Sequence, residues 1–201
     1  MIFFSRLKNR FGFLKLTIVE LVSAFFIGIV IACLTKVTYS TDSAYIETLL
    51  SLDVGQLDKT QLLIFIMQYR VKEYLLIWLF SITVLAVPYN TIFVLYKGFT
   101  AGFVIGVLSH LYGMKGMLYG FGLGTPHYIV YIIALVQTVL VSYRLHERSS
   151  SGVYNKRTKL FVKQLPAFLV LLSITIIGCF IETFINPLFV GWMRKALDII
   201  K

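Results

Sequence analysis

Six glycines limit what this chain can become. Gly98, Gly102 and Gly106 recur every four residues, and Gly116, Gly120 and Gly124 repeat that spacing soon after. Eight of the fourteen glycines lie between positions 98 and 124, within apolar sequence. Apolar side chains gain little by leaving lipid for one another. Helices in a bilayer therefore associate by close backbone approach, and small residues at four-residue spacing permit it. Two tandem glycine zippers predict the helix-packing centre of a polytopic membrane protein.

Composition agrees. The 201 residues are 58% hydrophobic and 14% charged, with a mean hydropathy of +0.84. A soluble domain of this length cannot hide so much apolar surface. A spanning helix needs roughly 20 apolar residues, and the apolar runs predict an all-α membrane domain over 1–201 with about five spans. These are 16–34, 74–96, 99–113, 128–143 and 165–189. The third is short, so 113–127 is expected as a broken or re-entrant connection ending in Pro126-His127. Pro88 falls inside the second span, where the missing backbone donor predicts a kink. Pro126 and Pro187 mark two further expected kinks. The first run follows a basic stretch (Arg6, Lys8, Arg10, Lys15), as a signal peptide would, but its apolar core is longer than the usual one, and it reads as a retained span. Cys33 and Cys179 fit no metal motif or disulfide framework and read as small packing residues.

The formal net charge is +10. Residues 1–15 carry the four basic groups just named. The loop 144–163 carries Arg144, Arg148, Lys156, Arg157, Lys159 and Lys163 against the single acid Glu147. Such flanks are expected on the cytoplasmic side, with the N-terminus inside. Anionic lipid explains them, and nucleic acid is not an expected partner. Five crossings then put 35–73 outside. Within that segment Ile46, Leu49 and Leu50 share one helical face, and Leu62, Phe65 and Ile66 another. The pattern predicts two short amphipathic helices, capping the bundle or lying on the membrane or a partner.

Ionisable groups inside a bilayer cost roughly 2–3 kcal/mol each at its centre, so each needs a reason. Glu20 and Lys97 fall at one depth and form a candidate ion pair, with an interfacial Glu20 as the alternative. Glu182, His110, His127 and Asn186 form a candidate polar cluster. Three such ligands would serve zinc in principle, but no HExxH or other local ligand motif is present. A hydrogen-bonded cluster is the favoured expectation. No Walker motif, serine elbow, CxxC or paired-carboxylate pattern occurs, so neither enzymatic activity, cofactor nor metal is expected.

Several local motifs carry a family resemblance. They are Tyr96-Lys97-Gly98-Phe99-x-x-Gly102-Phe103-x-x-Gly106, then Gly113-Met114-Lys115-Gly116, Pro126-His127, and finally Ile181-Glu182-x-Phe184-x-Asn186-Pro187. In order and spacing the chain resembles the stage II sporulation protein M family of bacterial membrane proteins. That resemblance implies a multi-pass protein of the bacterial cell membrane without known catalysis. It implies a scaffold that recruits cell-wall hydrolases to the septal membrane for peptidoglycan remodelling during engulfment. Wider relatives, to which the Pro126-His127 form is closer, imply an alternative. That is a subunit for export, maturation or immunity of a circular bacteriocin, working with an ABC-type ATPase. Self-association into a homo-oligomer is a further expectation.

Overall fold

The computed structural model describes residues 2–35, 58–81, 83, 85–150 and 157–197. All its elements are helical: α1 (Ile2–Leu34), α2 (Lys59–Phe80), α3 (Ala86–Gly124), α4 (His127–Ser150), α5 (Arg157–Phe180), a π-helical turn (Ile181–Ile185) and α6 (Asn186–Leu197). Four stretches are long and apolar enough to cross a membrane: Gly12–Leu34, Ala86–Gly124, His127–Glu147 and Val162–Ala196. The count is thus about four, against the five expected.

The difference lies at 74–96. That run is not one helix. α2 stops at Phe80 because hydroxyl side chains answer its last carbonyls: Ser81 Oγ donates to Trp78 O at 2.5 Å and Thr83 Oγ1 to Phe80 O at 2.8 Å. α3 restarts at Ala86, so Pro88 occupies a first turn, where a missing N–H has no intrahelical partner to lose. The expected mid-span kink at Pro88 is therefore corrected to a helix start. α2 begins at Asp58, whose side chain accepts from Thr60 N at 2.9 Å. Leu62, Phe65 and Ile66 belong to this 22-residue helix, not to a short surface one. Ile46, Leu49 and Leu50 lie outside the described residues.

The first three glycines face α1 along a parallel interface. A Cβ built on Gly98 or Gly102 would collide with the backbone carbonyl of Leu21 or Phe25, and one on Gly106 would come within 2.6 Å of the Ala32 methyl. The contact is reciprocal, because a Cβ on Gly28 would collide with the Phe99 carbonyl and lie 2.8 Å from Phe103 N. α1 itself breaks at Gly12, at φ 72°.

The second glycine set has another partner. Gly113, at φ 61° and ψ −140°, reverses the chain inside α3. A conformation with positive φ suits glycine because no Cβ clashes there. The second arm (114–124) returns along the first (86–112). Gly116 meets the Leu108 carbonyl, Gly120 approaches Ile105, and Gly124 sits under the Tyr128 ring. Residues 113–124 thus form the returning half of a helical hairpin. The Thr125–Pro126 peptide is cis, and α4 starts at the next residue.

α4 runs antiparallel to the first arm of α3. Asn90 bonds Ser142 at 2.8 Å, and Val94 packs with Val139 and Tyr143. The stretch expected as loop 144–163 is helical at both ends, through Ser150 and again from Arg157. α2 and α4 run the same way: Arg70 covers Tyr131 near one end, and the Thr83 carbonyl lies 3.1 Å from His146 Nδ1 near the other. α5 closes over α2 through Tyr74, Leu145, Phe168 and Leu171, with Tyr74 Oη donating to the Phe168 carbonyl.

Gly102→Leu must part α1 from α3, an overpacking cost of about 1–3 kcal/mol or more. Phe99→Leu leaves the backbone contact intact and is expected to be milder. Chemical denaturation in detergent checks this, and equal losses from both would contradict close packing on this face.

Candidate functional site

A chain of alternating charges runs between α2, α3 and the π-helical turn. Lys97 Nζ lies 2.6 Å from Glu73 Oε1. Glu73 lies 3.9 Å from Arg70 on the same face of α2, three residues away. Arg70 then grips Glu182, with its Nη2 3.0 Å from Oε1 and its Nε 3.3 Å from Oε2. Such two-pronged geometry is the strong form of an arginine–carboxylate bond. Tyr131 Oη donates to Glu182 Oε2 at 2.7 Å, and the guanidinium lies 4.4 Å from the Tyr131 ring centroid. His127 Nε2 approaches Glu182 Oε1 at 3.8 Å. Two cations face two carboxylates, so the chain sums to zero with His127 neutral.

Local sequence explains each placement. Arg70 and Glu73 are neighbours on a helix because they are three residues apart. Lys97 precedes Gly98, so the turn that touches α1 also directs an amine toward α2. Its ammonium sits among Phe93, Tyr69 and Tyr96 at 5.3–5.8 Å from their ring centroids, a range suited to cation–π attraction. Glu182 projects from the π turn. Pro187 has no N–H to offer the Thr183 carbonyl and its ring crowds that position. The ladder widens there, with Asn186 N–H reaching back to Ile181 O. π turns of this kind recur at functional sites.

Part of the expected cluster assembles. His127 and Glu182 come together, and Asn186 lies beside His127. His110 does not join them, since it stays on the first arm of α3, just before the Gly113 reversal. Among the described residues no group of three His, Cys, Asp or Glu side chains is placed to hold a metal. The expected Glu20–Lys97 pair is also not formed. Lys97 is taken by Glu73, and Glu20 sits with Thr91 at 3.4 Å. Arg70, Glu73 and Tyr131 were not singled out by the sequence. Arg70 and Glu73 fall in the stretch read as an outer loop, yet apolar sequence flanks both sides of them. That flanking was the available signal.

A cavity of about 440 Å³ opens beside the charge chain. Arg70, Glu73 and Lys97 border it, and Phe25, Ile77 and Leu135 contribute to its apolar wall. Within a bilayer, ionisable residues of this kind face the bundle interior and pair with each other.

Several long apolar helices around a half-buried, self-neutralising charge chain define an all-helical, multi-pass membrane protein. A family model described as stage II sporulation protein M matches residues 18–187, and the chain belongs to that family. It is thus a sporulation-related membrane protein, of a family not known for catalysis. The matched residues take in every member of the charge chain. No curated protein and no solved structure matches the chain.

Removing one partner of a fully buried pair costs about 3–5 kcal/mol, and of a half-buried pair such as this one less, whereas replacing both with apolar residues is often near neutral. Arg70→Met and Glu182→Met are each expected to destabilise the protein, and the double variant to recover most of the loss. Denaturation of the three variants in detergent checks the coupling. Additive losses would mean that the two side chains do not act as a pair.

Proposed function

We propose that this protein is a non-catalytic membrane scaffold that anchors peptidoglycan-remodelling partners at the septal membrane during engulfment. The observation that carries the reading is the closure of the charge chain. Each of its carboxylates is clamped by a cation, so these groups join α2, α3 and the π turn and are spent on holding helices. A frame built this way suits the presentation of a surface to other proteins. Membership of the stage II sporulation protein M family supplies the setting, and cell-wall hydrolases are the partners proposed.

The partner-binding region proposed is the segment before α2. The test replaces residues 42–57 with a glycine–serine linker in the full chain. Membrane insertion is expected to persist while co-purification of wall hydrolases is lost. Unchanged recovery of every hydrolase would remove that segment from recruitment.

The cavity favours a second reading, as a membrane subunit for export or immunity that works with an ABC-type ATPase. Discontinuous helices beside a charged midplane site are a feature of transporters. Ala101 lines the cavity, so Ala101→Trp would fill it. Under this reading the substitution abolishes peptide flux in vesicles; under the scaffold reading hydrolase recruitment survives it.

A further inference from the structure

A second polar cluster lies between α1, α3 and α4, less than two turns before Lys97 on α3. Glu20 enters it from α1. Its Oε1 is 3.4 Å from the Thr91 hydroxyl, which is itself 3.2 Å from the Tyr143 hydroxyl. Its Oε2 is buried without a hydrogen-bond partner. The cations of the charge chain are engaged elsewhere, Lys97 by Glu73 and Arg70 by Glu182. Lys15, on the same helix, is exposed. Among the described residues, Thr91 from α3 and Tyr143 from α4 are the polar groups that face Glu20 from the packed elements. Beside them Asn90 is fully buried, donates to Ser142, and keeps its own Oδ1 unpartnered. The Phe13 ring lies against Tyr143, with centroids 5.1 Å apart.

A lone carboxylate inside a membrane bundle must acquire positive charge or stand unanswered at high cost. Glu73 and Glu182 obtain theirs from side chains; among the described residues none supplies it to Glu20. One carboxylate balances one unit of charge, which selects a monovalent occupant over a divalent one. Carboxylate and hydroxyl oxygens are hard donors, suited to a proton or an alkali ion and unsuited to soft metals. We propose that Glu20, Thr91 and Tyr143 form a binding site for a single monovalent cation, a proton or sodium ion, taken from solution. This goes beyond the scaffold reading and does not depend on it, because its test measures no partner.

The probe is a hydrophobic carbodiimide, which modifies protonated carboxyls in apolar surroundings, applied to the full chain in detergent micelles. Modified peptides are mapped by mass spectrometry across a pH series, with and without sodium chloride. Glu20 is expected to be labelled in sodium-free buffer while Glu73 and Glu182 stay unlabelled, and Glu20→Gln is expected to lose the label. Protection by sodium identifies sodium as the occupant; a label indifferent to sodium identifies the proton. Failure of Glu20 to react at any pH in sodium-free buffer overturns the proposal, as does equal labelling of Glu73 and Glu182. Tyr143→Phe keeps the ring and removes the hydroxyl. It is expected to shift the pH or sodium dependence of labelling, and a superimposable profile would overturn the assigned donor set.

Discussion

Water is missing from the interior of a bilayer, and both halves of this design answer that absence. Apolar side chains have no reason there to prefer one another over lipid, so α1 and α3 adhere where side chains are removed and backbones touch. Charges have no solvent to retreat into, so they meet their counter-charges inside the bundle. The two solutions share a turn of helix. Gly98 lays α3 against the Leu21 carbonyl, and Lys97 beside it sends its ammonium to Glu73 of α2. The tight α1–α3 interface thereby fixes the position from which α2 is held.

That arrangement explains why α2 can carry Arg70 and Glu73 and still pack among apolar helices. Those two charges are answered along one face by Glu182 and Lys97. Its remaining contacts are of ordinary kind, with Tyr74 and Trp78 against Phe168. Summed hydropathy sees charged residues but not their cancellation. A helix of this kind fails a composition test for membrane crossing while lying alongside helices that pass it.

The same limit governs what could be read from the residues alone. The four-residue spacing of Gly98, Gly102 and Gly106 announces close approach, and α1 supplies the partner backbone. Identical spacing at Gly116 and Gly120 announces the same thing but cannot name the partner. That depended on the positive φ of Gly113, which folds the second arm onto the first. Gly28 escaped notice because it stands without a repeat, although it presses on the Phe99 carbonyl from the other side. Depth along a helix suggested joining Glu20 to Lys97, yet depth carries no azimuth. Lys97 turns toward α2, and Glu20 toward Thr91 and Tyr143. Similar depth also grouped His110 and His127 with Glu182; His127 Nε2 lies 3.8 Å from Glu182 Oε1, whereas His110 stays apart.

The contrast between the two polar clusters separates structural charge from unspent charge. In the first, positive and negative groups are equal in number and in direct contact. Moving any one of them would strand another, so the cluster resists change and fastens helices. In the second, a single carboxylate faces hydroxyls that can accompany either of its charge states. Such a group can exchange its counter-cation without pulling a neighbour apart. The second cluster joins α1 and α3, the two helices that the glycines draw together, and the Thr91 and Lys97 turns belong to one arm of α3.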